Sequence, residues 1–424
     1  MPVIAFGLLL LMILLAVPVG AVLGLLGLVL DQAFTPMPLW RAIGEISWGA
    51  SSEFTLMAIP LYILLGEIFL RSGIASDMYE ALRKWLVWLP GGLMHANIAA
   101  STLFAATSGS SVATAATIGT VALPQQKKYG YGERIFLGSI AAGGTLGILI
   151  PPSINMIIYG VLTNTSIPQL YVAALLPGLV LAVVFMLTII TATGLSRSGG
   201  AAERFSWAEK RAALRHLFPP GVIFVVIMGS IYAGIATPTE AAGLGVLAAL
   251  ALVWARRRLG IALLLTAFEN TMRTTGMIML IVMLAYFLNF VLSGLGLSRM
   301  IETLLAGAEL SPLQTILLVI AFYLVLGCFM ETLSMMIATL PIVAPIVFAA
   351  GYDPIWFGVV MMLLVELAMI TPPIGVNLYV VQGVRSSGSI RDVIVGSMPF
   401  VLAILAMILF LVAIPDFVLM ISEG

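Results

Sequence analysis

Gly143-Gly144-Thr145-Leu146-Gly147-Ile148-Leu149-Ile150-Pro151-Pro152 and Ile370-Thr371-Pro372-Pro373-Ile374-Gly375 decide the fold. Each is a double proline inside a long apolar run, with Gly and Thr beside it and an Asn (Asn155, Asn377) shortly after. Proline removes a backbone donor and obstructs the helix at residue i−4, so two in succession open several backbone groups together. A gapless shift of 221 residues superposes the two stretches. The same shift lays Gly24 on Gly245, Ser72-Gly73 on Ser293-Gly294, Pro124 on Pro345, Gly130-Tyr131 on Gly351-Tyr352 and Phe136 on Phe357. Leu and Ala identities arise by chance in so biased a composition. Prolines, glycines and a Gly-Tyr pair holding one register mark a duplication.

The 424 residues are 61% hydrophobic and 9% charged, against about a quarter charged in a water-soluble domain. Most of the outer surface therefore faces lipid, and the apolar material suffices for about ten spanning helices. The fold class expected is an all-α polytopic membrane protein. Net charge is zero and gives no sign of a nucleic-acid partner. Cys328 is the single cysteine, which excludes an internal disulfide framework and a Cys-based metal site. Residues 2–30 are apolar without a basic leader and read as a retained span.

Each copy reads alike, with a first repeat over 1–200, a cytoplasmic linker at 201–216 and a second repeat over 217–424. Two coupled apolar stretches hinge near Pro18 and Pro238, followed by a third span (54–71, 274–294) and an amphipathic arm (75–89, 297–309). Next come paired short apolar arms, 92–106 with 112–125 and 311–327 with 333–348. These are too short to cross about 30 Å of hydrocarbon and read as re-entrant hairpins over 92–125 and 311–348. A broken helix (134–163, 355–383) and a last span (168–195, 393–415) close each copy. Five crossings per copy put the N-terminus outside, and of the 19 Lys and Arg only Arg41 and Arg299 then fall outside. The odd number makes the repeats inverted, with the first hairpin entering from the cytoplasm and the second from the opposite face. Arg256-Arg257-Arg258 reads as a topology anchor, and Trp40, Trp48, Trp85 and Trp88 suit interfacial belts.

Inverted repeats with broken helices suit alternating access, with sites near the midplane at the breaks. An interrupted helix leaves free N–H groups at a positive end and free carbonyls at a negative one. The first tip, Thr107-Ser108-Gly109-Ser110-Ser111, offers hard oxygen donors for an alkali cation, or small residues for close helix packing. The second, Cys328-Phe329-Met330-Glu331-Thr332, places a carboxylate in an apolar run, and Glu366 takes the place of Thr145 under the shift. Intramembrane carboxylates are functional by default, the alternative being a structural hydrogen bond. Pro151, Pro152, Ser153 and Asn155, with Glu366 and Asn377, are the residues expected to meet substrate. His95 and His216 read as structural or surface residues.

SGSSVATAATIG (108–119), GTLGILIPPSINMIIYG (144–160), TPTEAAG (237–243) and ITPPIGVNLYVVQG (370–383) resemble the large membrane (M) subunit of TRAP transporters, the tripartite ATP-independent periplasmic systems. The resemblance runs over essentially the whole chain. It implies an elevator-type, sodium-driven importer of a small carboxylate in the bacterial inner membrane. It also implies a small membrane (Q) subunit and a periplasmic substrate-binding (P) protein, with sodium as coupling ion and no other cofactor. Carried over residue by residue, the ion sites fall on Ser108, Gly109, Ser110, Ser111, Gly144 and Thr145, and on Glu331, Thr332, Thr371, Pro372 and Gly375. The family often carries Asp where Glu331 stands. The chain opens on its first core span, so the Q subunit is expected as a separate polypeptide. Three other functions remain open on the residues. They are a self-sufficient sodium-coupled carboxylate carrier, a channel, and an intramembrane hydrolase built on Ser108, for which His95 lies 13 residues upstream.

Overall fold

A computed structural model describes residues 2–15, 17–35, 38–196, 204–296, 300, 303, 310–385 and 387–420. Most of the expected second arm, 297–309, lies outside them, as do residues 201–203 of the linker. Among the described residues the regular structure is helical throughout. Six helices are long and apolar enough to cross a membrane, or up to eight if each of two bent pairs is one span. Shorter apolar helices among the described residues are Val19–Phe34, Pro312–Gly327 and Pro354–Ile370, and Pro18 parts α1 (Pro2–Leu14) from α2 (Val19–Phe34), where a hinge is expected.

The scaffold side is built from α2, α3 (Ile43–Ser52), α4 (Ala58–Arg71), α12 (Phe218–Tyr232), α13 (Pro238–Ala255) and α14 (Ile261–Gly294). Pro238 starts α13 at its first turn, after a Thr237/Glu240 capping box. The turn between the coupled helices α12 and α13 lies at 233–237, just ahead of Pro238, where Pro is tolerated because the N–H is unpaired anyway. α14 runs 34 residues, longer than the span expected over 274–294. The arm α5 (Ile74–Leu86) is pinned to the loop after α13 by Asp77, which pairs with Arg256 at 3.1 Å and Arg258 at 3.0 Å. The linker is helical over Trp207–Ala213 (α11), which begins on a Ser206/Glu209 capping box.

The second body gathers α6 (Leu93–Ser108), α7 (Ser111–Tyr129), α8 (Glu133–Leu149), α9 (Ile154–Thr163) and α10 (Ile167–Ser196). From the second half it adds α15 (Pro312–Gly327), α16 (Thr332–Ala349), α17 (Pro354–Ile370), α18 (Val376–Arg385) and α19 (Ile390–Ala413), with the short α20 (Asp416–Leu419) beside α10 and α17. Its centre is α8, packed on α6, α7, α10, α17 and α19 and buried from Phe136 to Leu149. The approach of α8 to α19 demands glycine on both sides. A Cβ on Gly138 would lie 1.9 Å from the Gly396 carbonyl oxygen, and one on Gly396 would lie 1.8 Å from that of Arg134. At the same end Arg385 pairs with Glu133 (2.6 Å) and Asp392 (3.5 Å), and Arg134 with Asp392 (3.1 Å).

Helix order repeats along the chain. Shifted by 221 residues, Glu133–Leu149 coincides with Pro354–Ile370, Ser111–Tyr129 falls on Thr332–Ala349 and Ile154–Thr163 on Val376–Arg385, within a residue or two. The halves also interlock. α18 of the second half packs along α7 of the first, and α9 of the first packs along α16 of the second.

Candidate functional site

At the first tip α6 ends on Ser108, and Gly109 turns the chain with φ +57°. Glycine is required there, since a Cβ would also lie 3.0 Å from the Pro152 carbonyl oxygen. Ser110 caps α7, its Oγ accepting from the Ala113 N–H at 3.4 Å, and its carbonyl accepts from the Thr114 hydroxyl at 2.7 Å. The Ser108 and Thr114 hydroxyls pair at 3.2 Å. The seam continues onto α8, because a Cβ on Gly147 would lie 3.0 Å from the Ser110 carbonyl oxygen. A Cβ on Gly144 would lie 2.7 Å from that of Ala115. Thus the first tip, Gly144, Gly147 and Pro152 form one packed seam, with Pro151, Pro152 and Ser153 buried behind it. The Thr145 hydroxyl is buried and donates back to the Ala142 carbonyl at 2.8 Å.

At the second tip Glu331 caps α16. Its carboxylate accepts from the Leu333 N–H at 3.0 Å and the Ser334 N–H at 2.9 Å, and the Thr332 hydroxyl donates to it at 3.1 Å. A negative group at a helix N-terminus also meets the positive end of the dipole. The tip is held to its own break, where the Ile374 N–H donates to the Cys328 carbonyl at 3.3 Å. Gly375 follows with φ +45°, and the Thr371 hydroxyl donates to the Leu367 carbonyl at 2.6 Å.

One cavity of about 220 Å³ brings the two tips together. Ser108, Gly109, Ser110, Ser111, Glu331, Thr332 and Asn155 line it from the second body. Glu67 of α4 and Thr274 of α14 line it from the scaffold. Of the other residues expected from the sequence, Gly144, Thr145, Pro151, Pro152, Ser153, Glu366, Thr371, Pro372, Gly375 and Asn377 do not line it. Asn377 is buried and crosses between the halves, donating to Ser111 Oγ at 2.9 Å and to the Ala141 carbonyl at 3.1 Å. Glu366 is wholly buried in α17. Each tip meets its own break, yet the second half's Asn377 also completes the first half's seam.

Sequence reasoning missed the scaffold wall. Glu67 Oε2 accepts from Arg71 Nε at 2.9 Å and Asn270 Nδ2 at 3.0 Å. The rule that singled out Glu331, an acid within an apolar run, applies equally to Glu67 in AIPLYILLGEIFLR. The neighbouring Arg71 disguised it as the end of a span. On the hydrolase reading, Ser108 pairs with Thr114, while His95 Nε2 lies 2.7 Å from the Pro90 carbonyl oxygen.

Over residues 6–417 the chain matches the family model described as the tripartite ATP-independent periplasmic transporter, DctM component. It is 32% identical over 397 residues to the C4-dicarboxylate TRAP transporter large permease protein DctM of Pseudomonas aeruginosa, covering 93% of this chain and 92% of that one. It is 29% identical to the isethionate TRAP transporter permease protein DctMQ of Oleidesulfovibrio alaskensis, covering 98% of this chain and 66% of that longer one. Among solved structures, the YdaH transporter of Alcanivorax borkumensis superposes with a TM-score of 0.63 at 16% identity, covering 97% of this chain and 98% of that chain. That likeness concerns the fold.

Proposed function

The chain belongs to the DctM component family of tripartite ATP-independent periplasmic transporters, and from that premise we propose sodium-coupled import of a small carboxylate-type solute across the bacterial inner membrane. The observation that carries the reading is the cavity joining Ser108–Ser111 to Glu331-Thr332 against a scaffold wall. Two carboxylates, Glu67 and Glu331, border it, so an anion entering alone meets like charge. Sodium at the tips would offset that charge and make anion binding depend on the cation. The hydroxyl and carbonyl oxygens of Ser108, Gly109, Ser110 and Ser111 would hold one ion, and Glu331 and Thr332 with the break at Thr371–Gly375 would hold another.

The body built round α8 would move against the scaffold of α2–α4 and α12–α14, with the two halves as inverted repeats. A periplasmic binding protein would deliver the solute, and a small membrane subunit would brace the scaffold arms. The test is uptake against sodium concentration in proteoliposomes containing all partner components. Ser110→Ala and Thr371→Ala should each raise the sodium concentration for half-maximal uptake several-fold at near-normal yield. Glu331→Gln should weaken sodium dependence if the second site needs a formal charge. Unchanged sodium curves in all three variants would make the tips packing features and defeat this assignment.

A further inference from the structure

Two scaffold helices turn at Arg256-Arg257-Arg258. The helices on either side, Pro238–Ala255 and Ile261–Gly294, are each long and apolar enough to cross a membrane, so the three arginines stand at the headgroup level between them. A third apolar helix starts beside this loop. α11 runs on through a turn at Leu214–His216, and the chain then bends by 47° into α12. Arg256 Nη2 donates to the Arg215 carbonyl at 3.4 Å and brings that turn against the loop. Trp207 on α11, Phe218 at the start of α12 and Trp254 at the end of α13 are all exposed, as aromatic residues at headgroup level commonly are.

A topology anchor needs only positive charge on one side of the membrane. Here the charge is gathered at one spot. Arg256 and Arg258 share a single carboxylate, that of Asp77 on the arm α5, at 3.1 and 3.0 Å. Arg215 and Arg257 are exposed, and among the described residues neither pairs with an acid; Arg215 Nε donates to the neighbouring His216 ring at 3.2 Å. Arg257 also stands just past the end of α13 with φ +55°, a place where glycine is the usual residue. The other acids of α5 and α11 are engaged, Glu80 with Arg83 at 2.7 Å and Glu209 in its capping box with Ser206. Four guanidinium groups therefore gather round one carboxylate, and their mutual repulsion leaves room for a further anion. A guanidinium meets phosphate oxygens with a planar fork of donors, and at this depth the anions within reach are the phosphates of membrane lipid.

We propose that Arg215, Arg256, Arg257 and Arg258 form a binding site for the phosphate of an anionic phospholipid, whose acyl chains lie against α13 and α14. Leu247 and Trp254 on α13, with Ile261 and Leu265 on α14, are exposed and supply the apolar wall. The lipid completes the charge round Asp77 and so holds the arm, the loop and the entry to α12 together. A zwitterionic lipid brings its own cation into a site already rich in them and fits it less well. The assignment rests on the membrane position of these helices and not on the sodium or solute reading.

The test is thermal melting of the delipidated full chain in a neutral detergent, with phosphatidylglycerol, phosphatidylcholine or inorganic phosphate added. Phosphatidylglycerol should raise the melting temperature by several degrees more than phosphatidylcholine, and inorganic phosphate at the same concentration should raise it little. The double variant Arg215→Gln/Arg257→Gln breaks no ion pair with an acid and should lose most of the phosphatidylglycerol effect. Lys127→Gln/Lys128→Gln makes the same change of charge at the end of α7 and should keep it. A full effect in the arginine variant would overturn the proposal. So would an equal loss in both double variants, which would mean bulk attraction to a basic face, or a phosphate response matching that of the lipid, which would mean a site for free anions. If the double variant does not accumulate, Arg257→Gln alone should lose part of the effect, and an unchanged response there would overturn the proposal equally. No readout requires transport, so failure of this proposal and failure of the transport reading are separable.

Discussion

Ser110 and Glu331 coincide under the 221-residue shift, and the structure gives them one backbone task. Both stand at the N-cap of the returning helix, and the Pro-Pro peptide following each is cis. Their surroundings differ. Ser108, Gly109 and Ser111 are buried, and Pro151 and Pro152 are buried behind them. Glu331 is exposed, Phe329 is 54% exposed, and Pro373 and Ile374 are exposed as well. A carboxylate at the tip is tolerable only where water reaches it, so the acid sits at the open tip and hydroxyls sit at the closed one. The hydrogen-bonding device is the same at both tips, and burial decides which chemistry each can carry.

The largest expected contrast comes from the turn residues that coincide under the shift, Gly109 and Met330. Gly109 sits at φ +57° with no room for a side chain, whereas Met330 is an ordinary buried apolar residue. Gly109→Val combines left-handed strain of about 1–2 kcal/mol with overpacking of about 1–3 kcal/mol. Uptake by this variant should fall by at least about tenfold, with lower yield. Met330→Val should keep most of both, within about 1.5 kcal/mol. Equal effects would mean that the two tips are equally closed and that the contrast drawn here is false.

The sequence carries one half of this picture more clearly than the other. Double prolines, small-residue tips and short apolar arms announce breaks and hairpins, because each acts on the backbone within a few residues. Gly109 and Gly375 could be singled out for that reason, and both have positive φ. Side-chain partners across the fold leave no such mark. Asn377 reaches Ser111 across 266 residues, and Asn270 reaches Glu67 across 203. No periodicity predicts which face of a wholly apolar helix meets which neighbour. Glu366 was legible as an intramembrane acid, but its complete burial follows from how the neighbouring helices pack round α17.

A middle-sized contrast lies in the caps themselves. Glu331 accepts from two amides at 3.0 and 2.9 Å, and Ser110 accepts from one at 3.4 Å. A cap is worth about 0.5–2 kcal/mol, and a charged one belongs near the upper end. Glu331→Ala should therefore lower thermal stability in detergent by about 1–2 kcal/mol, and Ser110→Ala by less than about 0.5 kcal/mol. The reverse order would mean that the half-buried cap holds the fold more firmly than the exposed one.

The smallest effect concerns Ser111 and Thr332, which also coincide under the shift. Ser111 Oγ accepts from Asn377 of the other half at 2.9 Å, whereas the Thr332 hydroxyl stays at home and donates to Glu331 at 3.1 Å. Ser111→Ala leaves Asn377 its second bond, to the Ala141 carbonyl at 3.1 Å. The loss should therefore be modest, near the ~1 kcal/mol net worth of a hydrogen bond. A double-mutant cycle isolates it: Ser111→Ala with Asn377→Ala should show coupling of about 0.5–1 kcal/mol in detergent melts. Thr332→Ala with Asn377→Ala should be additive within about 0.3–0.5 kcal/mol. Coupling confined to the first pair would mean that the halves are tied through the closed tip and not the open one. The second tip could then change its exposure without disturbing the seam that Asn377 holds. Equal coupling in both pairs would remove that freedom, since both tips would then be bound to the same asparagine.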